Sequence, residues 1–455
     1  MITDNIILLT DSYKVTHWKQ YKPGTSNVYS YFESRGGLFP EVVFFGLQYY
    51  LQEYLSKPVT MEMIDEAESY FTGHFGDKSL FNREAWEYIV TEHDGKLPIR
   101  IKAVPEGTVV KVSNTMMSVE ATDPKCYWLT NYMETVLSQV WYGSTVATYS
   151  REIKKVINQY LEKTGDTSGI NFKLHDFGFR GVSSVESSGV GGAAHLVNFM
   201  GTDTLSALVV ARKNYSSDIA GFSIPASEHS TMTSWGGQYS EVDAMRNMIK
   251  QYGSSPIFAC VSDSYDVYRA CKEYWGKQLK DDLMEVDGTL VVRPDSGTPH
   301  KVTLECIELL GEAFGYSVNE KSYKVLDPKV RLIWGDGIDY DGVRKILSTL
   351  EQNGWSADNI AFGMGGGLLQ KLNRDTQKFA FKCSSMTDER GNEHDVYKAP
   401  ITDGGKTSKK GRMSLVEGKT VKKDNHPEDM LKVVYENGEV KLTTTLDEIR
   451  DRAKL

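Results

Sequence analysis

Between residues 170 and 370 the chain repeats one pattern: a short apolar run, a polar loop bearing glycine or acid, then a helix-like stretch. The run 171–174 ends in His175-Asp176-Phe177-Gly178, and 257–261 ends in Ser262-Asp263. The run 290–292 ends in Arg293-Pro294-Asp295-Ser296-Gly297, and 331–334 ends in Gly335-Asp336-Gly337. The last, 360–362, ends in Gly363-Met364-Gly365-Gly366-Gly367. Apolar runs this short, bounded by turn residues, predict buried strands. Alternation with helical stretches predicts parallel βαβ units. Polar loops recurring at successive strand ends place a site on the C-terminal face of a β/α barrel.

The flanking segments read differently. Residues 28–32 alternate as a strand and end in Glu33-Ser34-Arg35-Gly36-Gly37. Residues 42–55 predict a helix, and 99–104 and 108–112 predict strands about a turn at Pro105-Glu106-Gly107. Helices are predicted over 128–139 and 150–164. From residue 385 the pattern changes to hairpins and lysines and closes on a short helix at 445–453. The expected organisation is α/β: a barrel over residues 145–385, and a second α/β domain composed of residues 1–144 and 386–455.

Composition narrows the function classes. The 455 residues suffice for two domains or one large barrel with additions. With 40% hydrophobic and 25% charged residues the chain has an ordinary globular composition. Its net charge of −9 argues against a nucleic-acid binder, although basic residues that converge locally can still hold phosphate. The five cysteines are odd in number, lack CxxC spacing and sit largely in apolar runs, which predicts buried thiols in a reducing compartment. Nine histidines form no HExxH and no Cys/His cluster, so a structural zinc site is not expected. No run approaches the roughly 20 apolar residues of a membrane span. The apolar stretch 6–9 is short and flanked by Asp4 and Asp11, so no signal segment is expected. The expectation is a cytoplasmic protein without nucleic-acid or membrane partners.

Several loops carry candidate chemistry. Asp295 directly follows a strand, and its carboxylate can accept from two vicinal ribose hydroxyls, while Ser296 and Gly297 offer backbone N–H groups to an anion. Pro-Asp-Ser-Gly is also ordinary turn chemistry; Arg293 beside it favours function. The glycines of 363–367 let backbone amides approach a phosphate at a helix start, although a tight strand-to-helix turn would use glycine too. The loop matches neither GxGxxG nor the Walker pattern. Gly335-Asp336-Gly337 is weaker alone and gains weight from lying between these two loops. Together glycines, acids and arginines suit a phosphorylated sugar.

His229 follows Glu228 and precedes Ser230 and Thr231, a setting compatible with a nucleophile or a proton carrier, or with an incidental loop histidine. Phe177 can stack on a flat heteroaromatic ring or fill a barrel core. Asp203 can cap the helix that follows it. Lys398, Lys406, Lys409, Lys410 and Arg412 form a basic cluster that is either solvated hairpin surface or a polyphosphate site.

These motifs in their order resemble the nicotinamide phosphoribosyltransferase family nearly end to end. The matching segments are Thr10 to His17, Tyr31 to Arg35, His175 to Ser184, Gly201 to Thr204, Glu228 to Thr231, Val261 to Asp266, Arg293 to Gly297, Gly335 to Gly337, Gly365 to Asp375 and Ser408 to Arg412. The resemblance implies a type II phosphoribosyltransferase fold, an irregular β/α barrel with a second α/β domain. It also implies a head-to-tail homodimer with two active sites at the interface. The implied reaction joins nicotinamide to the ribose carbon of phosphoribosyl pyrophosphate (PRPP), giving nicotinamide mononucleotide and pyrophosphate for NAD salvage. By resemblance, Phe177 stacks on one face of nicotinamide and Tyr13 of the other subunit covers the other, Asp203 accepts the carboxamide N–H, and Arg293 lies beside the ring. Asp295 and Asp336 hold ribose hydroxyls, and Gly335, Gly365 and Gly366 form the loops around the sugar phosphate. Arg180, Arg374, Lys382, Lys398 and Arg412, with Arg35 from the other chain, bind phosphate and pyrophosphate. Mg²⁺ is held mainly through pyrophosphate, near Asp263 and Asp295, and ATP is a co-substrate that phosphorylates His229.

Two positions depart from the animal members of that family: Met364 stands where serine is usual, and Phe222 where tyrosine is usual. The nearest rival is a nicotinate phosphoribosyltransferase, which Asp203 disfavours because a carboxylate repels nicotinate's own. A different sugar-phosphate barrel enzyme would need a Schiff-base lysine or a paired acid and base at strand ends, and no persuasive candidate is present. An inactive binding or signalling relative would be expected to lose His229, Asp295 or Arg293, and all three stand in the chain.

Overall fold

The computed structural model describes residues 2–402 and 404–455. The chain divides into two compact units. One gathers Met1–Thr148, Val210–Asp218 and Leu372–Lys454; the other holds Tyr149–Val209 and Ile219–Lys371.

The first unit is built on a seven-stranded sheet in the order Glu393–Asp395, Phe379–Asp388, Thr25–Ser34, Thr115–Ala121, Ile99–Ala103, Lys432–Glu436, Glu439–Val440. Its neighbouring strands are antiparallel. In Ile99–Ala103 the residues Ile99, Ile101 and Ala103 are buried while Arg100 and Lys102 are not, the period of two that a half-buried strand requires. Trp86, Trp128 and Tyr132 meet edge-on in the core of this unit.

Two helix expectations change here. Residues 42–55 hold a strand, Glu41–Val43, paired with Val109–Lys111, then a one-turn helix Leu47–Tyr50 and a π-turn Leu51–Leu55. The paired valines favour the strand, and Gly46 at φ 106° permits the break. The 128–139 helix is two short pieces, Leu129–Tyr132 and Glu134–Ser138, and the next helix, Val140–Thr164, starts ten residues before its expected beginning at 150. The closing helix is Leu446–Ala453, with Thr445 and Glu448 in a reciprocal capping box.

The second unit carries a six-stranded sheet in the order Gly201–Thr202, Leu174–Asp176, Ile360–Met364, Val330–Trp334, Thr289–Arg293, Ile257–Val261. Every neighbouring pair is parallel, so all strand ends carrying the polar loops emerge on one face. The first strand begins at Leu174, not at 171, because Thr167–Phe172 winds into a 3-10 helix. The segment 222–227 links the two edges of the half-barrel. Phe222 bridges to Gly201 at one edge and Ala226 to Ala259 at the other, with Ala259 N donating to Pro225 O at 2.8 Å. Irregular closure of this kind satisfies edge groups that an open sheet leaves bare. It also gives Phe222 a backbone role, while its side chain meets Phe172 at 6.0 Å between ring centroids.

No helix among the described residues is long and apolar enough to cross a membrane. Cys126, Cys260, Cys271 and Cys306 are buried free thiols, and Cys383 is a half-buried one.

Candidate active site

The loops at the strand ends of the second unit bring two clusters together. In the first, strand Leu174–Asp176 delivers Phe177, whose N–H donates to Met364 O at 3.0 Å. A Cβ on Gly363 would lie 1.8 Å from the Phe177 ring, and one on Gly335 3.1 Å from it. Glycine at the ends of two neighbouring strands therefore makes room for the ring. Met364 is fully buried.

His175 ties the aromatic to an acid. Its ring centroid lies 5.0 Å from that of Phe177, and its Nε2 lies 2.9 Å from Asp203 Oδ1. The Ser223 hydroxyl donates to the same Oδ1. Oδ2 takes no partner among the described residues and stays open to a ligand donor. Burial pushes the Asp203 carboxyl up, but the hydrogen bonds and charge of His175, with Ser223 and the Arg293 guanidinium, hold it below the ordinary range. Asp203 is thus an anion spoken for on one oxygen, and its carboxylate turns to His175 and Ser223 rather than to a helix cap.

The second cluster centres on Asp263, whose side chain is 4% exposed. Its Oδ1 meets His229 Nε2 at 2.9 Å; its Oδ2 accepts from Asp295 N at 2.9 Å and from Ser296 Oγ at 2.5 Å. One buried carboxylate therefore orients both the His229 imidazole and the Asp295 loop. The His229 side chain is 44% exposed, and its Nδ1 has no partner among the described residues. It stands first in helix His229–Thr233, which Glu228 and Thr231 cap reciprocally.

Arg293 Nη2 lies 3.6 Å from Asp295 Oδ2, and its buried Nε donates to nothing among the described residues. A buried guanidinium donor left unused is costly and points to a ligand acceptor. A Cβ on Gly335 would lie 3.7 Å from Asp295 Oδ1, so the Gly335-Asp336 loop runs beside Asp295, with Asp336 exposed. A Cβ on Gly181 would lie 3.2 Å from Gly366 N, so the loop of the exposed Arg180 packs against Gly365-Gly366.

The first unit holds a basic cavity of about 580 Å³ lined by Arg35, Arg374, Lys378, Lys382, Lys398 and Lys406. Burial lowers the Lys382 ammonium, Glu134 opposes that, and the charges of Arg35, Lys398 and Arg374 lower it further. A polyanion would relieve this crowding. Arg35 lines the same cavity as Arg374, Lys382 and Lys398. Arg412 lies outside it. Its guanidinium donates to Glu120 at 2.6 Å and Asp424 at 2.9 Å and rests over the Tyr29 ring. Tyr13 is 59% exposed, with its ring edge-on to His17.

Ser223 and Lys378 were not singled out in the sequence. His175, Ser296 and Gly363 lay within motifs that drew attention, but no local signal announced that His175 and Ser223 would meet Asp203. The structure also assembles His93, Asp123 and Cys126 within 4.8 Å in the first unit, a group that no sequence spacing announced. Asp123 is committed there to Lys125 N, Tyr88 and His93, and burial pushes the Cys126 thiol up to about 12. The group is a hydrogen-bonded pair beside an inert thiol.

A parallel half-barrel presenting acids, glycines and an unused arginine donor at its strand ends, with a second α/β unit, defines the class of type II phosphoribosyltransferases. The chain belongs to the nicotinate phosphoribosyltransferase (NAPRTase) family, whose model matches residues 172–439, while residues 5–101 match the nicotinamide phosphoribosyltransferase N-terminal domain. It is therefore a pentosyltransferase. It is 50% identical over 465 residues to the nicotinamide phosphoribosyltransferase of Xanthomonas campestris pv. campestris (strain 8004), covering 99% of this chain and 98% of that one. It is 34% identical to the nicotinamide phosphoribosyltransferase of Acinetobacter baylyi (strain ATCC 33305 / BD413 / ADP1), covering 97% and 95%. Its fold is that of the crystal structure of nicotinate-nucleotide pyrophosphorylase from Pyrococcus furiosus, with a TM-score of 0.61 at 15% identity over 99% of this chain and 95% of that one.

Proposed function

We propose that the protein transfers the phosphoribosyl group of PRPP to nicotinamide, giving nicotinamide mononucleotide and pyrophosphate. Relatives of that name over the full chain support the reaction. The observation that carries the choice of acceptor is Asp203, an anion with Oδ1 held by Ser223 and by His175, whose ring packs on Phe177, and with Oδ2 without a partner among the described residues. Oδ2 accepts an N–H of the carboxamide and repels the carboxylate of nicotinate.

Phe177 stacks the pyridine ring and aims its nitrogen at the ribose carbon. The ring nitrogen donates its lone pair to that carbon, and the carbon–oxygen bond breaks with its electrons leaving on pyrophosphate. Nicotinamide is neutral and already nucleophilic, so no strong base is required. Asp295 and Asp336 hold the ribose hydroxyls and stabilise positive charge on the ring. Arg293, through its unused Nε, adds a donor for ligand oxygen. Mg²⁺ fits this donor set: Asp295 and Asp336 keep carboxylate oxygens uncommitted among the described residues, whereas both oxygens of Asp263 are engaged by protein donors. Magnesium commonly binds through one or two carboxylates plus substrate phosphates. When bound, it would neutralise charge on the departing pyrophosphate.

His229 is the phosphoryl acceptor from ATP. With Asp263 taking the Nε2–H, the Nδ1 lone pair attacks the γ-phosphorus, and ADP leaves with the electrons of the broken P–O bond. Hydrolysis of the phosphohistidine returns inorganic phosphate. The protein works as a homodimer, in which the basic cavity of one chain serves the strand-end loops of its partner.

The test is mononucleotide formation from PRPP and Mg²⁺ with nicotinamide or nicotinate, each with and without ATP. Nicotinamide alone should turn over, faster with ATP, and His229→Ala should keep turnover while losing the ATP enhancement. Preferential use of nicotinate would overturn the role of Asp203.

A further inference from the structure

Phe177 and Asp203 follow neighbouring parallel strands, Leu174–Asp176 and Gly201–Thr202, in which Asp176 lies opposite Thr202. One buried residue reaches both strand ends. Asp176 is fully buried, and no lysine or arginine pairs with it among the described residues. Its Oδ1 accepts the Gly178 N–H at 2.7 Å, which fixes the turn just after Phe177. Its Oδ2 accepts the Thr202 hydroxyl across a long 3.4 Å, and Thr202 Oγ1 in turn accepts the Thr204 N–H at 3.0 Å. The Asp176 carbonyl accepts the Asp203 N–H at 3.0 Å. Asp203 is therefore tied to Asp176 through its own amide and through the residues on either side of it. The carboxyl is closely enclosed: a Cβ on Gly178 would lie 3.0 Å from Oδ1, and one on Gly192 of helix Val185–His195 would lie 3.2 Å from Oδ2.

Taking a carboxyl out of water is costly unless its oxygens are used. Burial pushes the Asp176 carboxyl up, and the Gly178 N–H, the Thr204 hydroxyl, the His175 charge and the Thr202 hydroxyl offset this only in part. An Asx turn to Gly178 needs one of its oxygens. The second oxygen and the carbonyl serve the Asp203 strand end. We propose that Asp176 is a positioning residue for the pyridine acceptor, bracing the Phe177 turn against the Asp203 turn and so setting where the ring and its carboxamide sit. The inference rests on the acceptor site proposed above. Asp176 acts through Phe177 and Asp203 and does not touch the ligand. A supporting group of this kind holds reacting atoms in register, and its loss loosens the site without removing a contact.

The test is steady-state kinetics on the full chain, with thermal unfolding to establish that each variant is folded. Asp176→Ala removes the brace and should raise the KM for nicotinamide by about tenfold or more, the worth of a hydrogen bond to a charged group. The KM for PRPP should stay within about twofold, since its loops hang from other strands. Asp176→Asn keeps an acceptor for Gly178 and a polar group beside Thr202, so its KM for nicotinamide should lie closer to the wild type than to Asp176→Ala. Two KM values that rise together would overturn the proposal, as would Asp176→Asn no better than Asp176→Ala. Should Asp176→Ala fail to fold, Thr202→Val carries the test, because it cuts one link at constant side-chain size. It should raise the KM for nicotinamide relative to that for PRPP, and an unchanged ratio would overturn the brace. Wild-type use of nicotinate instead would sink the reading of the acceptor, and the same ratio measured with nicotinate would still judge Asp176. A wild-type chain that turns over neither pyridine would overturn both.

Discussion

Gly363 illustrates how little room a single residue leaves. Its missing Cβ would sit 1.8 Å from the Phe177 ring, closer than any real contact allows. Gly363→Ala must push the ring or the strand, an overpacking cost of about 1–3 kcal/mol. The expected outcome is a raised KM for nicotinamide with a smaller effect on the KM for PRPP, read by steady-state kinetics; equal effects on both would contradict the stacking role. Glu106 makes a different prediction. Burial pushes its carboxyl up to about 7, against the Gln48 and Gly46 N–H groups, the Tyr215 hydroxyl and the Arg452 charge. A raised folded pKa favours the protonated form, so the contribution is full below the unfolded value and lost as pH rises through 7. Glu106→Gln lacks that loss. The variant should gain on the wild type between pH 4.5 and 7.5 by about 3 kcal/mol at ~1.4 kcal/mol per unit. Thermal unfolding against pH checks this, and parallel curves would refute it.

At the scale of elements, strand Ile360–Met364 is held by a buried amine. Lys173 Nζ donates to the carbonyls of Ala357 at 3.2 Å, Asp358 at 2.9 Å and Ile360 at 2.9 Å. Burial nevertheless pushes its pKa down to about 8. Lys173→Met strands these acceptors and should cost about 2–4 kcal/mol, since each lost partner leaves a desolvated carbonyl. Urea denaturation measures it. The same strand carries Gly365-Gly366, so the KM for PRPP should rise as well. The strand ends themselves were legible because apolar runs and turn residues report burial and chain reversal directly. The helix expected over 42–55 was not: the valines of Glu41–Val43 find a strand partner in Val109–Lys111, a pairing set by tertiary contact.

At the scale of the whole molecule, the proposed dimer makes complementation the sharpest test. Asp295→Ala disables the strand-end loops and Arg374→Ala weakens the basic cavity. If each site draws these from different chains, a mixed dimer keeps one intact site. Random mixing should then recover about a quarter of wild-type activity from two nearly inactive parents, by the symmetry of a closed dimer. No recovery after verified subunit exchange would place both groups in one chain.

The sequence by itself determined the α/β class, the strand-end loops and the residue types of the candidate chemistry. Those follow from local periodicity and turn composition, which act over a few residues. Only the tertiary structure decided which residues meet. Asp203 finds His175 and Ser223, Asp263 finds His229 and Ser296, and Arg35 joins Arg374, because sheet order and loop closure bring distant segments together. It also drew Val210–Asp218 into the first unit and gave Arg412 to Glu120 and Asp424. Such pairings depend on three-dimensional register, and sequence spacing carries no record of it.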